Sequence, residues 1–296
     1  MEKIIILAPA KINLFLNVGD RREDGYHDIE TVMQTLTLFD RLEVCKNDCK
    51  TEAVIDVRCR DFMAPDGAGN IVYRAASAFF AAAGIENYNV SFLIEKKIPA
   101  EAGLGGGSSD AAAAIIALDR LYGTAMTTEA LCGIGAGVGA DVPFCIKKGT
   151  AVARGIGEML ESCAPMPDCA VVVAIPKGSR ICTADAYGKI DDVRESAPVS
   201  CADMLAAMTS CDLERISSVL YNKFEKVTDP ATGVPELLAR LSEIGASGVR
   251  MSGSGPAVFG LFRDIPAARA AKEKLGESFT SFVCSPARRD YPYIES

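Results

Sequence analysis

IPAEAGLGGGSSDAA, residues 98–112, is the stretch on which the reading of the fold turns. Pro99 ends a strand predicted over Tyr88–Ile98, where Val90, Phe92 and Ile94 alternate, and Ser108–Tyr122 reads as a helix with a solid Ala, Ile and Leu body. Ser108, Ser109 and Asp110 are available to cap that helix. The run Gly103–Ser109 therefore joins a strand to a helix N-terminus and offers backbone NH groups with no Cβ in the way, which favours an anion. The helix macrodipole contributes about 0.3–1 kcal/mol per anion, so the NH groups and the two hydroxyls must supply most of the grip. Phosphate is the natural guest. A Walker A loop needs Lys after its last Gly, and Ser108 stands there. A dinucleotide fingerprint counted from Gly103 needs Gly at the sixth position, which is again Ser108, and no first-strand unit at the N-terminus precedes the run. The ordinary alternative, a helix entry kept glycine-rich only for packing, must bear the entropic cost of three consecutive glycines.

Working outward, the N-terminal half opens with β-type runs at Lys3–Ala8, Asn13–Val18 and Thr31–Cys45, followed by an Ala-rich helix from Asn70 to Ala83 that stops at Gly84. Beyond the loop, Thr128–Ala136 reads as a helix, and Ala151–Leu160 and Ala170–Ile175 as strands. Thr183–Ile190, Cys201–Met208, Leu213–Val227 and Pro235–Ile244 read as helices. The chain closes with two strands around a Gly-Ser turn within Val249–Phe262, a helix at Ala267–Leu275 and a strand at Phe279–Cys284. Helices beside mostly antiparallel strands make an α+β architecture, divided here as 1–156 and 157–296.

Composition narrows the function. A formal charge of −8 over 296 residues disfavours a protein built to hold nucleic acid. No run approaches the roughly 18 apolar residues of a membrane span, and the N-terminus lacks a signal-peptide pattern, so a cytoplasmic protein is expected. Eleven cysteines occur with no CxxC pair, which reads as scattered reduced thiols rather than a disulfide framework. With His27 as the single histidine, a zinc site or a Ser-His-Asp triad has almost no material. Chemistry must run on Lys, Asp, Ser and backbone.

Four segments offer it. Lys11 and Asn13 lie two apart on an apolar strand and should face one side, the alternative being a lysine that snorkels from an edge. Asp141, between a glycine-rich helix end and a strand beginning at Pro143, is a candidate base unless it merely caps a turn. Tyr26 and His27, after the charged turn Arg21–Asp24, offer a face for a flat base; the alternative is a surface turn with a partly buried Tyr. The small-residue run Arg250–Ala257 could approach a substrate closely or simply be a tight hairpin.

Taken together, PAKINLFL (9–16), DGYHDIETVM (24–33), IPAEAGLGGGSSDAA (98–112), GADVPF (139–144) and GSGPAVF (253–259) resemble the GHMP kinase superfamily, in this order and over most of the chain. The resemblance implies a ribosomal protein S5-like N-terminal domain and a ferredoxin-like C-terminal domain, with ATP and a small-molecule substrate meeting between them. It implies that Asp141 is the base and Lys11 the cation beside it. Pro99, Ala100, Glu101, Ala102, Gly103, Leu104, Gly105, Gly106, Gly107, Ser108 and Ser109 would bind the ATP phosphates, with Asn70 and Lys96 near the adenosine. Asn13, Tyr26 and His27 would hold the cytidine diphosphate portion of 4-diphosphocytidyl-2-C-methyl-D-erythritol, with Tyr187 as a second aromatic wall. Glu101 departs from the small residue expected there and should point outward. Mg2+ is implied as arriving with ATP, with no protein ligand assigned, and the protein would act as a monomer or weak homodimer without nucleic-acid or membrane partners.

Overall fold

The computed structural model describes residues 2–48, 53–60 and 63–295. The first two predicted strands are one, β1 (Glu2–Arg21), paired along its length with β2 (His27–Lys46). Pro9 does not end the strand, because the register shifts between Pro9 and Lys11 and the ladder resumes beyond it. β3 (Val54–Cys59) and β4 (Asn89–Glu95) pair in parallel, and β4 pairs antiparallel with β2. Helices α1 (Ile71–Ala83), α2 (Gly106–Tyr122), α3 (Thr128–Ala136) and α4 (Val142–Lys147) build the first core with this sheet, around Phe79, Phe80, Phe92 and Phe144. Alanines fill α2 at 111–114 and 117, all buried, so α2 and α1 approach closely.

Three local expectations are corrected here. Helix α2 starts at Gly106 rather than Ser108, so two glycines of the loop lie in its first turn. The strand expected from Pro143 is α4, since proline suits the first turn of a helix, where its missing NH loses nothing. The strand expected over Ala151–Leu160 is a hairpin of β5 (Thr150–Arg154) and β6 (Met159–Ser162), because Gly155 and Gly157, with φ of 70° and 112°, turn the chain between them.

The remaining chain forms β7 (Ala170–Pro176), α5 (Thr183–Ile190), α6 (Cys201–Thr209), α7 (Leu213–Ser218), β8 (Tyr221–Asn222), α8 (Val234–Glu243), β9 (Gly248–Met251), β10 (Val258–Phe262), α9 (Ile265–Leu275), β11 (Phe279–Cys284) and β12 (Ile294–Glu295). The second sheet runs β11-β7-β10-β9, antiparallel throughout, which is the ferredoxin-like strand order. The helix expected over Leu213–Val227 breaks after Ser218. Tyr221 and Asn222 pair instead with Phe15 and Leu16 of β1, and the Tyr221 ring packs 5.8 Å from Phe15. Tertiary pairing overrides local propensity there. β12 also returns to β1, so the first sheet takes strands from both sides of residue 156. β1 feeds all three apolar cores, through Ile6 and Ala8, then Ala10 to Phe15, then Leu16 and Val18.

Among the described residues no helix is long and apolar enough to cross a membrane. Cys49 lies outside the described residues, and the other ten cysteines are free thiols. Burial pushes Cys169 and Cys284 from the ordinary 9.0 to about 12, helped by Asp168 at the first and by Cys169 at the second. The unfolded chain then releases these protons first, so the stability they confer is complete below pH 9 and is lost as pH rises toward 12. Thermal midpoints measured between pH 8 and 11 should fall with pH, and more gently in Cys169→Ala/Cys284→Ala. Equal slopes in the two proteins would remove this reading.

Candidate functional site

Lys11 sits on β1 between the helix layer and the second half of the chain, 5% exposed. Its NH donates to the Leu104 carbonyl at 2.9 Å, and its side chain passes beneath Gly105, where a Cβ would meet Lys11 Cγ at 2.9 Å. Lys11 and Asn13 do face one side: Lys11 Nζ donates to Asn13 Oδ1 at 2.8 Å. Asn13 Nδ2 in turn donates to Thr31 Oγ1 at 2.9 Å, and that hydroxyl donates to the Phe15 carbonyl at 2.6 Å. The chain of bonds fixes the ammonium without neutralising it.

The nearest carboxylate is Asp141, whose Oδ2 lies 3.5 Å from Lys11 Nζ. Asp141 occupies the N-cap position of α4 yet makes no side-chain cap bond, so the ordinary alternative for it does not hold. The turn before it, Gly139–Asp141, runs beside the loop, because a Cβ at Gly139 would lie 3.9 Å from Ser108 Oγ.

The loop is held from the other side by the turn between β9 and β10. Gly103 has φ 79°, and a Cβ there would lie 2.0 Å from the Ser252 carbonyl oxygen. Ser252 Oγ donates to the Gly103 carbonyl at 2.9 Å, and the Ala257 NH to the Ala102 carbonyl at 3.1 Å. Asn222 Nδ2 fastens the same turn through the carbonyls of Met251 and Gly253, at 2.7 and 2.8 Å. The small-residue run is thus a hairpin whose close backbone neighbour is the glycine loop. Lys11, Asn13, Gly103, Gly105 and Asp141 border one cavity of about 220 Å³. Glu101, with φ 52°, is solvent-exposed and also borders it.

A second cavity, of about 470 Å³, is lined by Arg21, Tyr26, His27, Ala140, Tyr187 and Asp191, and Tyr187 borders both. The burial of the aromatic pair is the reverse of the surface-turn reading: Tyr26 is 61% exposed and His27 is 7% exposed. His27 stacks on Tyr187, ring centroids 5.2 Å apart, and Tyr187 meets Phe224 edge-on at 5.0 Å. Burial raises the Tyr187 phenol, as does the Asp141 charge, so its hydroxyl keeps its proton. His27 Nε2 lies 2.7 Å from Asp191 Oδ1, a hydrogen bond that holds the Asp191 carboxyl below its usual range.

Lys96 lies at the first turn of α2 and Asn70 at the start of α1, and the polar atoms of both are engaged by the protein itself. Asn70 caps α1, accepting from the Val72 NH at 2.9 Å and donating to the Pro65 carbonyl at 2.7 Å. Lys96 Nζ donates to Asp40 and to Asp110. Asp110 therefore does not cap α2 as expected; it is a buried partner of Lys96, and the N-cap of α2 is Gly105. Three polar residues of the site, Thr31, Asp40 and Asp191, are not singled out by the sequence, and Asp110 is legible there only as a cap. As a charge within an alanine helix, Asp110 carries a signal of its own; the other three carry none. A further cavity of about 630 Å³, between Gln34 and Arg289, contains none of these groups. Among the described residues no cluster of three His, Cys, Asp or Glu side chains stands ready for a metal ion.

Family models describe two parts of the chain: the GHMP kinases N terminal domain matches residues 70–149 and the GHMP kinases C terminal model residues 204–281. The 4-diphosphocytidyl-2-C-methyl-D-erythritol kinase of Pelobacter propionicus is 41% identical over 279 residues, 94% of this chain and 96% of that protein. Its counterpart from Alkaliphilus metalliredigens is 36% identical over 294 residues, 98% and 99% of the two chains. Among solved structures, a 4-(cytidine 5'-diphospho)-2C-methyl-D-erythritol kinase matches with a TM-score of 0.79 at 36% identity, over 95% of this chain and 98% of that one. A homoserine kinase from Cytophaga hutchinsonii, at TM-score 0.75 and 17% identity over 97% of this chain and 95% of that one, shares the fold.

Proposed function

This chain belongs to the GHMP kinase family, among its 4-diphosphocytidyl-2-C-methyl-D-erythritol kinases, and from that premise we propose that Lys11 and Asp141 carry the transfer of the ATP γ-phosphoryl group to the 2-hydroxyl of the methylerythritol part. The product would serve isoprenoid precursor synthesis by the non-mevalonate route. The observation that carries the reading is the pair itself: an ammonium and a carboxylate 3.5 Å apart, in a cavity bordered by Gly103 and Gly105.

The acceptor is a tertiary alcohol, so steering a hindered nucleophile matters as much as base strength. In a largely dissociative transfer the hydroxyl loses its proton late. Asp141 orients that hydroxyl and then takes the proton, while the Lys11 ammonium offsets charge on the phosphoryl oxygens. The NH groups of the loop and the first turn of α2 hold the phosphates. Mg2+ arriving with ATP would neutralise the nucleotide's oxygens. ATP and the charged acceptor are both water-soluble, which suits the cytoplasm.

Substrate choice falls to the second cavity. His27 and Tyr187 form a wall for the cytosine, and the exposed Tyr26 lines the same cavity. Losing one stacking wall costs about 1–3 kcal/mol, or roughly five- to 150-fold in affinity. His27→Ala and Tyr187→Ala should each raise KM for the acceptor at least roughly fivefold while leaving KM for ATP within about threefold. CDP should compete with the acceptor and not with ATP. Mevalonate or homoserine accepted as readily, with no competition by CDP, would place the chain among other GHMP kinases.

A further inference from the structure

The ammonium of Lys96 is buried, and both of its hydrogen-bonding partners are carboxylates of this chain. One is Asp40 on β2, fully buried; its Oδ2 accepts from Lys96, and its Oδ1 accepts from the backbone NH groups of Lys97 and Ile98 at 2.5 and 2.8 Å. These are the last residues before Pro99. The other is Asp110, one helical turn after Gly106, whose Oδ2 accepts from Lys96 at 2.7 Å. Three side chains thus join β2, the segment that enters the glycine loop and the helix that leaves it. Gly106 rests on this junction: a Cβ there would lie 3.0 Å from Ile98 Cγ2 and 3.3 Å from Lys96 Nζ.

Stability alone is a poor reason for such a cluster. Buried ion pairs gain little over apolar residues of similar volume, because desolvation offsets the attraction. Burial works to lower the Lys96 pKa and the two carboxylates outweigh it, so the ammonium holds its proton firmly. Asp110 is pushed the unfavourable way, up to about 8, by burial and then by the charge of Asp40, and its Oδ1 has no partner. The arrangement costs free energy at Asp110, and what it secures is geometry.

We propose that Asp40, Lys96 and Asp110 form a positioning clamp that fixes both stems of the loop against β2 and so sets where the first-turn NH groups of α2 meet the ATP phosphates. The proposal rests on the reading of this loop as the ATP site. Lys96 then acts through the loop backbone, and its ammonium does not touch the nucleotide.

Asp110→Ala tests the clamp, because it cuts the link between Lys96 and α2 while leaving the Lys96–Asp40 pair intact. KM for ATP should rise at least tenfold with KM for the acceptor within twofold. Asp110→Asn, which keeps an oxygen for Lys96, should return KM for ATP to within threefold of the unsubstituted protein. The double variant Lys96→Met/Asp110→Asn, which leaves no second unpaired carboxylate, should show the same ATP-specific rise, and it decides the matter if Asp110→Ala does not fold. KM for ATP unchanged within twofold in the deciding variant, or both KM values raised equally, overturns the clamp. The unsubstituted protein is run beside them: no ATP turnover by it would defeat the functional reading itself, whereas turnover with unaltered KM in the variants defeats the clamp alone.

Discussion

Asp141→Asn is expected to lower kcat at least roughly 100-fold at saturating ATP and acceptor, and Lys11→Ala to do the same, a loss comparable to deleting one preorganised charge-stabilising group. Asparagine keeps the shape of the side chain but cannot accept the hydroxyl proton. Because Asp141 makes no cap bond to α4, the substitution should leave the helix start intact. Lys11 needs a control, since its stem also packs under Gly105. Lys11→Met keeps the stem and deletes only the charge, and it should match Lys11→Ala in kcat. Circular dichroism and thermal midpoints close to those of the unsubstituted protein would confirm that the losses are catalytic. Near-normal turnover in both the Asp141 and Lys11 variants would remove them from the reaction.

Gly103→Ala is the second large effect. At φ 79° an alanine already carries roughly 1–2 kcal/mol of backbone cost. The new methyl would also stand 2.0 Å from the Ser252 carbonyl oxygen, a backbone atom that cannot swing aside as a side chain can. Either the loop or the β9–β10 turn must move, and the bonds from Ser252 Oγ and the Ala257 NH to the loop go with it. We expect kcat/KM for ATP to fall about 100-fold or more, since a displacement near 1 Å at a positioned reactant costs about that much. The thermal midpoint should drop as well, by about 2–4 °C for each kcal/mol in a chain of this size class. Gly105→Ala makes a useful comparison, because its nearest atom, Lys11 Cγ at 2.9 Å, belongs to a flexible stem. Its thermal loss should be the smaller of the two, and equal or greater loss would contradict the docking argument.

These residues also show what the sequence could and could not disclose. The loop, the helix after it and the pairing of Lys11 with Asn13 were legible because each is a local pattern: a glycine run, an apolar period and an alternation of two. Two boundaries differ from that local view for local reasons. Pro143 opens a helix, which a proline can do as readily as begin a strand, and Gly155 and Gly157 turn the chain between two strands. Other features were set by distant partners. The Leu213–Val227 pattern gave way because Tyr221 and Asn222 pair with β1, some 200 residues earlier in the chain. His27 is buried by Tyr187 and bonded to Asp191, 164 residues away, and nothing near either residue announces it. Asp40 and Asp110, 70 positions apart, come together at Lys96, which bonds to both. Substrate choice rests on family resemblance and on Tyr26 and His27, and the glycine loop contributes nothing to it.

The central claim is tested most directly by incubating the protein with ATP, Mg2+ and 4-diphosphocytidyl-2-C-methyl-D-erythritol and measuring the mass of the acceptor and the position of any new phosphate. The account expects one added phosphoryl group, on the 2-hydroxyl, with ADP formed in equal amount and no reaction in Asp141→Asn on the same time scale. An acceptor recovered without added mass, or phosphorylated at another hydroxyl, would contradict it.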